Sequence, residues 1–132
     1  MKSTADQAVN KFFQSWKDQK WEEMFEVCQK TWGYTKTKED LKEHFESPDW
    51  KLKDFNVAGF TNVSNVKRSF IVELSFADGR IERHTAIVIC ESAPYTPAAY
   101  GDWGVNPISV LKNFGTIKSR PKPKQKANES KK

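Results

Sequence analysis

Few residues in this chain have a type and position that could support chemistry. Arg83 has the clearest claim. The run Asp78-Gly79, between two alternating segments, has the pattern of a two-residue type I′ hairpin. A turn of that length sets Ala77 against Arg80, Phe76 against Ile81 and Phe70 against Ile87. Arg83 then falls beside Thr85 on the otherwise apolar, helix-facing side. An arginine there must find a carboxylate, reach the rim, or bind an anionic ligand, because an unpaired buried charge is costly. A side chain snorkelling to solvent near the hairpin tip is the simpler alternative.

His44 sits next to a Leu41–Phe45 stripe, which suits a partly exposed structural residue better than a general base. The same register sets His84 opposite Glu73 on the outer sheet face, a cross-strand pair worth about 0.2–1 kcal/mol. Neither histidine has a nucleophile or third group beside it, so no triad and no catalytic residue is assigned. Cys28 and Cys90 have no second Cys or His at metal-ligand spacing, so no metal and no cofactor is assigned. They read as small buried hydrophobes, and free thiols suit a reducing, cytoplasmic setting.

The elements that must position these residues follow from periodicity. Ser3 and Asp6 have capping spacing, which starts a first helix with the stripe Ala5, Ala8, Val9, Phe12, Phe13, Trp16. Asp18 caps a second helix carrying Trp21, Met24, Phe25, Cys28 and Trp32, with Gly33 as its stop. Thr37 and Asp40 cap a short third helix that ends before Pro48. From Lys51 the period changes to two. Phe55, Val57, Gly59, Thr61 and Val63 share one side of a long strand, with a bulge or bend expected at Gly59. Phe70, Val72, Leu74 and Phe76 alternate on the next strand. The helix-facing side of the hairpin is then completed by Ile81, Arg83, Thr85, Ile87 and Ile89. Its outer face holds Ile71, Glu73, His84, Ala86, Val88 and Cys90. A fourth strand passes through Trp103 and Val105 and ends at Pro107.

The net charge of +5 has a local origin. Residues 116–132 carry +6 and residues 1–115 carry −1, so the basic character belongs to the tail. A folded domain over 1–115 and a basic disordered tail over 116–132 are expected. Nucleic-acid binding through that tail would be nonspecific and salt-sensitive, and no aromatic residue interleaves with its lysines for base stacking. A solubilising role fits it better. No run of about eighteen apolar residues spans a membrane, and no signal peptide is visible.

Three helices followed by a long bent strand and a tight antiparallel meander make an α+β chain. The run "AVNKFFQSWKDQKWEEMFEVCQKTW" and the meander from Phe55 to Val105, ending in "GDWGVNP", resemble the NTF2-like superfamily, the cystatin-like α+β cone. The resemblance implies N-terminal helices packed on a curved antiparallel sheet around a conical pocket. It also implies a homodimer through the outer sheet face, here Ile71, Glu73, His84, Ala86, Val88 and Cys90. The pocket would be lined from among Arg83, Thr85, His44, Trp16, Tyr34, Tyr95, Tyr100 and Trp103. The helix-one tyrosine used by the ketosteroid-isomerase-like branch is missing, so its acid–base residues do not carry over. A non-catalytic module binding a small ligand or protein partner is the leading expectation. A small-molecule isomerase, dehydratase or hydrolase is the alternative.

Overall fold

A computed structural model describes residues 4–111 and the backbone of 113–117. The remainder of the expected tail and Ser3 lie outside the described residues. The architecture is α+β: helices on one face of an open antiparallel sheet.

Helix α1 spans Ala5–Asp18, and its apolar stripe is buried as the period requires. The cap falls one residue later than Ser3–Asp6. Thr4 Oγ1 accepts from the Gln7 N–H and Gln7 Oε1 accepts from the Thr4 N–H, closing a capping box. The expected second helix is two short ones, α2 (Trp21–Glu26) and α3 (Lys30–Thr35). Asp18 caps neither, since Lys20 occupies the N-cap of α2, and Gly33 lies inside α3.

The break at residues 27–29 has a tertiary cause. Gln29 N–H donates to Val105 O and Val105 N–H donates to Val27 O, both at 2.8 Å, so this stretch pairs as a strand would. Gly104 makes that approach feasible, because a Cβ there would lie 2.7 Å from the Cys28 carbonyl oxygen. Helix α4 (Lys38–Phe45) has the Thr37–Asp40 capping box read from its sequence and buries Leu41 and Phe45. A 3₁₀ turn, Pro48–Trp50, leads into the sheet.

Strands β1 (Leu52–Ser64), β2 (Lys67–Phe76) and β3 (Ile81–Ala93) form the meander. The far side of β3 is shared along its length. The two-residue β4 (Thr96–Pro97) and then β5 (Asp102–Asn106) pair with its C-terminal part. Helix α5 (Pro107–Leu111) follows, and β6 (Asn113–Ile117) pairs with Ile81–His84. Neither α5 nor β6 is foreseen by the sequence reading. Among the described residues β1 pairs only with β2, so the sheet does not close.

The β1 ladder shifts register between Val57 and Gly59. The bulge moves Phe60 opposite Phe70, so the even-spaced set Phe55 to Val63 does not stay on one face.

The decisive correction is the register of the β2–β3 hairpin. Ser75 pairs with Ile81 and Phe70 with Ala86, one residue away from the two-residue-turn register. Phe76 N–H donates to Arg80 O, Gly79 N–H donates to Phe76 O, and Gly79 has φ of 98°. This is a three-residue loop closed by a left-handed glycine, not a type I′ turn. A one-residue slip turns the whole of β3 over. Glu82, His84, Ala86, Val88 and Cys90 are buried, whereas Ile81, Thr85, Ile87 and Ile89 are half-buried and Arg83 is exposed.

The helix-facing side of the sheet is filled by aromatic rings. Trp16 contacts Phe45 at 4.8 Å and stacks on Trp50 at 5.7 Å between centroids, and its indole N–H donates to Trp50 O at 3.0 Å. Phe12 and Phe13 pack edge to face at 5.2 Å, and Phe76 closes the cluster against Trp50. Such rings supply most of the burial in a core of this size.

Candidate functional site

The hairpin register decides where the candidate residues go. Arg83 is not helix-facing. It lies on the outer face opposite Glu73, with Arg83 Nη2 3.6 Å from Glu73 Oε2. Both side chains are partly exposed, so the pair contributes at most about 1 kcal/mol. Thr85 lies beside them, opposite Ile71. Of the residues expected outside, Ile71 and Glu73 are there, but His84, Ala86, Val88 and Cys90 face the helices and are buried. Trp16 is sealed in the core at 1% exposure, and His44 is exposed on α4, so neither lines a site with Arg83.

Two clusters of ionisable groups are instead buried where the sequence pattern read an outer face or gave no warning. His84 is wholly buried, its ring meeting the Trp50 ring edgewise at 5.6 Å. Its Nδ1 lies 2.5 Å from Val110 O and its Nε2 2.8 Å from Glu82 Oε1. Arg80 completes the chain, with Nη1 2.9 Å from Glu82 Oε2, Nε on the Asp78 carboxylate, and Nη2 on the Asp49 carbonyl. The guanidinium also covers the Phe76 ring at 4.5 Å. The cluster ties the hairpin tip, the 3₁₀ turn and α5 together. Its histidine has no access to solvent, which leaves it no route to a substrate.

Glu91 is the centre of the second, 2% exposed and without an ion pair among the described residues. Thr31 N–H donates to Oε1 at 3.0 Å, the Thr31 hydroxyl to Oε2 at 2.5 Å, and Gln29 Nε2 to Oε2 at 3.3 Å. Three donors satisfy a carboxylate that would otherwise be costly to bury. Thr31 Oγ1 in turn accepts from the Tyr95 N–H at 2.8 Å. That bond fixes Tyr95 in the left-handed region, φ 61°, where its ring meets Tyr34 edge to face at 6.1 Å. Both tyrosines are largely exposed, so this pair is a surface feature and lines no cone.

Tyr100 and Trp103 are brought together elsewhere. They line an open groove of about 610 Å³ with Thr4, Asp6 and Arg68. Arg68 is the functional candidate that sequence reasoning missed. Its guanidinium lies over Phe60 at 4.9 Å and over Trp103 at 5.5 Å, with Phe70 at 6.0 Å. The bulge in β1 brings Phe60 to this side, and the β3–β5 pairing brings Trp103. Neither contact is visible in local sequence, where Arg68 is one more charge just before the alternating Phe70–Phe76 segment.

Burial pushes the Cys28 thiol far above its ordinary range, and its Sγ lies 3.4 Å from Met24 O. A thiol so placed is neither a ready nucleophile nor a metal ligand. Among the described residues no group of three His, Cys, Asp or Glu side chains could hold a metal ion. No described helix is long and apolar enough to cross a membrane. Comparison with protein-family models, curated proteins and solved structures gives no match to this chain.

Proposed function

We propose that this chain is a non-catalytic binding module of the NTF2-like, cystatin-like kind, which pairs with a second copy of itself through the outer face of its sheet. The observation that carries this reading is the composition of that face after the register shift. Ile71, Ile87 and Ile89 form its apolar part, Glu73 with Arg83 forms a charged pair beside them, and Ile81 lies beyond that pair. Ile71 alone is 40% exposed. A clustered apolar sheet face favours association over solvation. Glu73 and Arg83 suit a two-fold interface, since each copy offers both signs and the acid of one can meet the base of the other.

Binding is preferred to catalysis because both buried ionisable clusters are consumed by contacts within the fold. His84 and Glu82 hold α5 and the hairpin tip, and Glu91 holds Thr31. A cytoplasmic setting accords with two buried cysteines in a chain too poor in cysteine for a disulfide framework.

Sedimentation equilibrium of the full chain tests the pairing. A dimer is expected, and Ile71→Asp combined with Ile89→Asp should shift it to monomer while leaving the far-UV spectrum unchanged. A wild-type chain that stays monomeric at high micromolar concentration would overturn the reading.

A further inference from the structure

Among the described residues, the partners of Arg68 use fewer donors than its guanidinium offers. Its Nε–H donates to Asn62 Oδ1 at 2.7 Å. Among the described residues the nearest partner of its Nη edge is Asp6, with Nη1 4.0 Å from Oδ1, too long for a hydrogen bond. The side chain is only 25% exposed, so water does not fully compensate. The rings of Phe60 and Trp103 hold the guanidinium in place, which removes much of the rotamer entropy an arginine normally loses on binding. Arg68 and Asp6 both line the groove, so the Nη edge that lies toward Asp6 is at its wall, within reach of a ligand there.

We propose that this groove binds a small planar molecule carrying a carboxylate or phosphate group, with Arg68 as the anion anchor. The guanidinium fork matches two oxygens of either group and gives two parallel charge-assisted bonds. Trp103 and Tyr100 provide ring surface for the planar body, and about 610 Å³ is in the range of small-ligand sites. Asp6 plays the opposing part. Its carboxylate is largely exposed and its long contact with Arg68 is weak, so an incoming oxyanion replaces it at Nη1 and is repelled by it. The site therefore has one residue whose removal weakens binding and one whose neutralisation strengthens it.

The test is titration of the full chain with benzoate, phenyl phosphate and the neutral isostere benzamide, read on the Trp103 indole N–H resonance by NMR. At least one of the two anions is expected to bind in a salt-sensitive way, and benzamide at least about tenfold more weakly. Benzoate without phenyl phosphate identifies a carboxylate site, and the reverse a phosphate site. Arg68→Gln should lose at least about tenfold in affinity, and Asp6→Asn should gain about threefold. Benzamide binding as tightly as benzoate, failure of both anions to bind, or unchanged affinity in Arg68→Gln would each overturn the proposal. Should Arg68→Gln not fold, Asp6→Asn decides: weaker anion binding in that variant sinks the idea.

Discussion

His84 Nε2 lies 2.8 Å from Glu82 Oε1 while Nδ1 of the same ring lies 2.5 Å from the Val110 carbonyl. A carbonyl oxygen can only accept, so Nδ1 carries a hydrogen. An ionised Glu82 can also only accept, so Nε2 must carry one too; otherwise the proton resides on Glu82. Arg80 lies on the other oxygen of Glu82, so both oxygens of that side chain are engaged within the fold.

Breaking this pair on one side leaves an uncompensated buried group. Glu82→Leu and His84→Leu should each destabilise the fold by about 3–5 kcal/mol. The double replacement should cost clearly less than the sum of the two. Urea denaturation of the three variants measures the coupling, and additive losses would show that the two side chains do not act as a pair.

Gly104 is required by close approach of two backbones, not by its own dihedral angles. Gly104→Ala should force residues 27–29 away from β5, with a loss of roughly 2 kcal/mol or more and faster amide exchange at Gln29 and Val105. Thermal melting with hydrogen exchange reads both. A variant as stable as wild type, with both amides still protected, would show that the contact relaxes freely.

Asp40 gives a pH dependence with a defined sign. Thr37 N–H and hydroxyl donate to its carboxylate at 2.9 and 3.1 Å and hold its pKa below the ordinary value of 3.8. A depressed folded-state pKa means the stabilisation is present above the unfolded value and is lost as pH falls through the folded one. Asp40→Asn should therefore flatten the acid limb of the melting temperature against pH and leave its neutral limb nearly parallel to wild type. An unchanged acid limb would remove Asp40 from the account.

Burial of both cysteines predicts slow thiol chemistry. Cys28 and Cys90 should react with a thiol reagent at the rate of local or global opening, and fully in denaturant. Rapid labelling of Cys28 in the native chain would contradict its burial.

Amino-acid order by itself determined the elements whose signals are local. The α1 stripe, the Thr37–Asp40 box, the bulge near Gly59 and the place of the hairpin at Asp78-Gly79 are all legible, because caps, turns and periods act over a few residues. The tail's ownership of the net charge is legible for the same reason. Tertiary structure decided the rest. An Asp-Gly pair fits a two-residue or a three-residue loop, and the choice moves β3 by one position. In isolation the alternation in β3 permits either face inward, since isoleucines lie on one side and alanine, valine and cysteine on the other.

The sheet buries the side with Ala86, Val88 and His84, where small side chains leave room for the large rings of α1 and Trp50 to pack. The second helix broke because pairing with Val105 offered residues 27–29 backbone bonds that no local pattern announces. Arg68 became a candidate anchor only when β1 and β5, distant in sequence, set aromatic rings on either side of it. Local order specified where the elements lie. Long-range packing specified which face each turns inward, and with that which charges are buried in the fold and which lie at its surface.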